Sequence, residues 1–193
     1  MEWSAEHNRY IEPSNPKRNP AAGARSWRSS IVRLMIFSIV FAALQLGWQS
    51  LRGGGVEYAV IHDATVRPAV FAVNYLTPDV AARAVKFSLH APGGGLNVLN
   101  GCEGLEALFL LAAACVVAPI SMMSRLAGLL LGLPVVFIVN QARIVALFYA
   151  YRDDPQLFYS LHATVAPIIV VVCVAAYFYG WLAYASRTPS QTA

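Results

Sequence analysis

The sequence predicts an all-α integral membrane protein: a bundle of four transmembrane helices with both termini on the cytoplasmic side. Three observations carry this. The chain of 193 residues is 58% hydrophobic but only 12% charged, whereas a soluble domain has about 25% charge. Its mean hydropathy is +0.54. Four segments come close to, or exceed, the roughly 20 apolar residues that cross a bilayer core of about 30 Å. These features exclude a water-soluble globule, and low net charge with high hydrophobicity excludes disorder as the state of the whole chain. Three cysteines are too few for a disulfide scaffold.

Residues 1–30, rich in Pro, Asn, Ser and Arg, read as a disordered basic cytoplasmic tail. Residues 31–187 form the membrane-embedded part. Up to residue 33 the chain has six Lys or Arg against three Glu, and the remainder has eight against seven. The basic excess is therefore local, a topology signal rather than a nucleic-acid patch. Lys17, Arg18, Arg25, Arg28 and Arg33 hold the start of span one (about 34–51) in the cytoplasm. Its uncharged core is longer than that of a signal peptide, and no small-x-small site follows, so it reads as a retained anchor. An outer loop (52–103) follows, with a short helix from Pro78 to about Leu89 opened by Thr77 and Pro78. Ala91-Pro92-Gly93-Gly94-Gly95 ends that helix, and His62 and His90 are solvated.

Span two (about 104–123) contains Glu106 as its only charge, and span three (about 126–151) contains only Arg143. Span four (about 163–185) is uncharged. Its Tyr177, Tyr179, Trp181 and Tyr184 suit an interfacial belt. Arg125 in the turn between spans two and three, and Arg187 after span four, agree with N-in, C-in topology.

Ionisable residues are costly in a membrane and are functional candidates there. Cys102 lies at the outer mouth of span two, with Glu106 four residues on and on the same helical face. Asn140 and Arg143 share a face in the outer half of span three. His162 opens span four. A thiol, a guanidinium and an imidazole thus reach one boundary, which is the equipment of an acyl-transfer site. The thiolate attacks, a cation or helix N-terminus favours its charge, histidine moves protons and arginine holds an oxyanion. Asn140 would position Arg143 or the substrate. Glu106 would pair with Arg143 or orient His162. Cys115 and Cys173 read as small apolar residues. No CxxC, HxxxH or HExxH spacing suggests a metal, and no GxxxxGK[ST], GxGxxG or GxSxG motif is present, so no cofactor is expected.

Three short motifs on consecutive spans resemble the exosortase/archaeosortase family of membrane cysteine transpeptidases. They are Asn100-Gly101-Cys102-Glu103-Gly104, Asn140-Gln141-Ala142-Arg143 and Ser160-Leu161-His162-Ala163. The resemblance covers about residues 90–185, and the chain resembles a compact form, of the exosortase H type. Glu103 stands where longer members commonly have a small residue. The resemblance implies a thiol peptidase or transpeptidase of the cytoplasmic membrane with its active site facing the periplasm or exterior. It would cut C-terminal sorting signals of exported proteins, each a short motif, a transmembrane helix and a basic tail. The new C-terminus would pass to an acceptor at the cell surface. Cys102 would be the nucleophile, Arg143 the carbonyl or oxyanion partner, and His162 the acid/base; Gly104 belongs to the cysteine motif. The rival is a non-catalytic membrane scaffold or transporter-associated subunit, with Arg143 and Glu106 as a structural ion pair.

Overall fold

A computed structural model describes residues 20–98 and 101–187, with side chains described from Ser29 onward. It is mostly helical, as an all-α membrane protein should be. Among the described residues, three helices are long and apolar enough to cross a membrane: Ser29–Ser50, Met122–Asp153 and Pro155–Arg187. The first belongs to α1 (Pro20–Ser50), which takes in residues 20–30 of the expected disordered tail. Residues 1–19 of that tail lie outside the described residues.

The segment read as span two differs. Helix α4 (Leu105–Val117) has 13 residues, about 20 Å at 1.5 Å per residue. It stops early because Ala118 precedes Pro119 and is extended (φ −62°, ψ 136°), as the proline ring demands of the residue before it. Ser121 then caps α5 (Met122–Asp153), its hydroxyl accepting from the Ser124 N–H at 3.2 Å. Arg125 therefore sits inside α5 and not in a turn.

The outer segment holds more structure than expected. Helix α2 (Gly55–Tyr58) widens into π-helical turns over Ala59–Val66 and continues as α3 (Arg67–Leu76). The expected helix from Pro78 to Leu89 is absent. A single 3₁₀ turn at Pro78–Val80 gives way to an antiparallel meander of β1 (Arg83–Val85), β2 (Ser88–Ala91) and β3 (Gly94–Asn97). Two-residue turns decide this. Lys86 takes φ +51° in the first. In the second, Pro92 and Gly93 (φ +88°) supply the fixed and the left-handed dihedrals that such a turn uses. Ala84, Leu89 and Leu96 stand in register across the sheet and turn inward. His90 is exposed as expected, whereas His62 stacks on Tyr58 at 4.6 Å and bonds the Lys86 carbonyl through Nδ1. Asn74 pins the sheet to α3 by exchanging two hydrogen bonds with Ala82, at 2.8 and 2.9 Å.

Asp154 ends α5 and caps α6 (Pro155–Ser160), accepting from the N–H groups of Gln156 and Leu157 at 2.9 and 3.1 Å. A π-helical stretch, Leu161–Val165, then leads into α7 (Ala166–Arg187). Gly128 and Gly132 let α7 lie close against α5. Tyr177 donates to the Gly128 carbonyl at 2.6 Å, and Trp181 to the Ser124 carbonyl at 2.9 Å. A Cβ at Gly128 would stand 2.4 Å from Trp181 Nε1. Tyr177 and Trp181 are thus packing residues, while Tyr179 and Tyr184 are exposed.

Two buried clusters result. One lies in the membrane bundle, around Leu111, Cys115, Val136 and Val174. The other joins Ile61, Val73, Leu89, Ile144 and Phe148 with Cys102. Arg143 lies about 31 Å along α5 from Met122, close to the thickness of a bilayer core. The last turns of α5 pack against α3 and the sheet.

Candidate active site

Cys102 sits in a turn, three residues ahead of the first helical residue of α4, and not on the helix itself. Gly101 (φ +92°) and Gly104 (φ +84°) adopt left-handed dihedrals on either side of it, which glycine enters without a Cβ penalty. Cys102 and Glu106 therefore do not share a helical face.

Helix α5 holds this turn from one side. Asn140, 2% exposed, donates through Nδ2 to the Cys102 carbonyl at 3.0 Å. Arg143, one helical turn on, donates through Nη1 to the Gly101 carbonyl at 3.3 Å and through Nη2 to Cys102 Sγ at 3.7 Å. Gly104 has a second reason to be glycine, since a Cβ there would stand 2.8 Å from Asn140 Cγ. Gly104→Ala is expected to push Asn140 off the Cys102 carbonyl and to lower activity at least tenfold, through positioning. Membrane insertion should be unchanged, because neither span changes; initial rates and a membrane-fraction blot check the two.

Glu103 contributes what the sequence did not reveal. Its carboxylate accepts from the Gly101 N–H at 2.5 Å and from Trp48 Nε1, on α1, at 3.1 Å. Trp48 and Glu103 are 8% and 9% exposed, so the turn is tied to α1 and α5 together. A glutamate two residues after a left-handed glycine is the one local signal of this role.

His162 falls in the π-helical stretch before α7, an irregularity often found at functional sites. Its ring stacks on Phe158 at 5.4 Å and 11°. His162 and Cys102 line one cavity of about 350 Å³, along with Tyr151, Phe158, Leu147 and Ile144. Cys102 Sγ takes its hydrogen bond from Arg143, and among the described residues none joins it to His162 across that cavity. Glu106 is exposed and lies with Arg143 in a neighbouring cavity of about 130 Å³. The Arg143–Glu106 ion pair that a scaffold would use is not made: among the described residues the one salt bridge is Arg67–Asp63.

Burial pushes the Cys102 thiol up. The Arg143 guanidinium pulls it down, and Glu103 and Glu106 raise it further. Desolvation outweighs the guanidinium, so the net direction is upward.

The family described as Transmembrane exosortase (Exosortase_EpsH) matches residues 22–179 of the chain. No curated protein matches, and no solved structure does.

Proposed function

We propose that this chain, which belongs to the transmembrane exosortase family, is a membrane cysteine peptidase or transpeptidase that processes sorting signals through a thioester on Cys102. The observation that carries the proposal is the paired contact of Arg143, with one nitrogen on Cys102 Sγ and another on the Gly101 carbonyl beside it. A cation in that position favours the thiolate and lies where an oxyanion would form next to the attacked carbon.

A peptide enters the cavity that Cys102 and His162 both line, its carbonyl carbon against Sγ and the imidazole in reach of the thiol proton. His162 takes the Sγ proton, Sγ bonds to the carbonyl carbon, and Arg143 holds the oxyanion. The C–N bond then breaks as His162 returns the proton to the leaving amine. The thioester is resolved by water, or by an acceptor amine or hydroxyl whose proton passes to His162, and the Cys102 thiol is regenerated. The N-terminal basic charges orient the site toward the exterior face of the cytoplasmic membrane. The substrate is an exported protein with a C-terminal sorting signal. Asn140 and Gly104 position the thiol turn in this scheme, and Glu106 serves binding.

The test is shortening of an epitope-tagged sorting-signal protein in membranes carrying this chain. Processing by wild type but not by His162→Ala, with both inserted, supports the proposal; equal processing by both contradicts it.

The raised thiol fixes a pH dependence. The reactive thiolate is the minor form near neutral pH, so alkylation of Cys102 should climb by about tenfold per pH unit until pH passes the elevated pKa. Arg143→Gln removes a group that favours the thiolate and should move the curve to higher pH. Glu106→Gln removes one that opposes it and should move the curve lower. Peptide mapping of iodoacetamide adducts, which separates Cys102 from Cys115 and Cys173, measures each curve.

A further inference from the structure

Below the cysteine turn an apolar groove runs down from Arg143. Its floor is the face of α4 bearing Leu110 and Ala114, with Glu106 one turn above on the same face, at the head. Phe37 of α1 bounds one side, and Val171, Ala175 and Phe178 of α7 the other. Cavities of about 130 and 200 Å³ share Ala107, Leu110 and Val171, so the groove is continuous from the level of Arg143 into the apolar bundle.

Its polarity is confined to its head. There the exposed Glu106 makes no ion pair with any described residue, and Arg143 Nε is buried without a partner. An exposed acceptor at the top of an apolar groove matches the first turn of an incoming helix. The first amide groups of a helix point outward with partial positive charge and favour a carboxylate, and Arg143 lines the same head of the groove. A lipid acyl chain brings no donor for Glu106 and an anionic headgroup is repelled by it, while a zwitterionic headgroup would give lipid adducts that crosslinking distinguishes. Alanines at 107, 114 and 175 admit close helix approach, as small residues do between membrane helices.

We infer that this groove docks the apolar transmembrane helix of the protein substrate, N-terminus against Glu106 and direction parallel to α4. The residues preceding that helix are thereby drawn across Arg143 to Cys102. The inference rests on the proposed activity and assigns Glu106 to substrate docking.

The experiment uses full-length Cys102→Ala enzyme, which holds substrate uncut, with a photoreactive benzophenone residue at position 114 or 171, or at the lipid-facing position 131 as control. The probe is an epitope-tagged protein ending in an apolar helix and basic tail that the wild-type enzyme shortens. Crosslinks to the probe from 114 and 171 but not 131 are expected. In the Cys102-intact enzyme, Glu106→Gln should raise KM about fivefold, as befits a charge at a helix terminus, while kcat changes only as far as the shifted ionisation of Cys102 carries it. Crosslinks from 131 as strong as from 114, adducts only to lipid or to a second copy of the chain, or an unchanged KM would overturn the inference while wild-type processing left the activity standing. Failure of the wild-type enzyme to shorten any such probe would remove the activity, and this inference with it.

Discussion

Cys102→Ala is expected to abolish shortening of a sorting-signal substrate while the protein continues to insert and fold. Removal of Sγ subtracts one small atom from a buried cluster with many other members, and the turn is held by main-chain contacts to Asn140, Arg143 and Glu103 that alanine keeps. The structural cost is that of a small cavity, about 1 kcal/mol or less. The chemical cost is the nucleophile, whose loss from a site that acts as a unit is on the order of 10⁶ in kcat. Stability and activity therefore separate by orders of magnitude, which a scaffold would not show. Initial rates, with detergent melting curves for both proteins, read the two effects.

Arg143→Ala ranks second. It removes the donor to Sγ and the donor to the Gly101 carbonyl together. The rate should fall by about 10² to 10³ if the guanidinium supplies an oxyanion contact, and further if the turn loosens. Arg143→Lys separates charge from shape. Lysine retains the cation but lacks the planar fork that reaches two targets, so it should recover part of the rate and not all. Equal activity of the lysine variant and wild type would mean that charge alone suffices. No loss in the alanine variant would place the oxyanion elsewhere. Single-turnover rates for the three proteins at fixed pH distinguish these results.

Much of this was legible because a membrane penalises exceptions. A lone arginine in an apolar span and a cysteine between two glycines stand out, and the i, i+3 spacing of Asn140 and Arg143 on α5 delivers both to the same turn. The three long spans followed from apolar length alone. What was not legible depends on contacts distant in sequence. The Trp48–Glu103 bond joins positions 55 residues apart, and nothing local marks Trp48. The sheet over residues 83–97 depends on Lys86 entering a left-handed turn, a conformation that a lysine does not advertise. The length of α4 turned on one proline, whose effect on Ala118 outweighed the apolar run continuing beyond it. Cys102 itself was placed on a helix start, when Gly104 caps α4 and leaves the thiol in the preceding turn.

A covalent acyl-enzyme on Cys102 would be seen by intact-mass and peptide mass spectrometry of enzyme quenched in acid during turnover of a tagged sorting-signal protein. The expected result is an adduct on the Cys102 peptide, with the mass of the substrate's upstream fragment, that hydroxylamine releases and that Cys102→Ser does not form as a thioester. Processing that proceeds with Cys102 replaced by alanine, or turnover in which no adduct forms on Cys102 even when the acceptor is withheld, would contradict it.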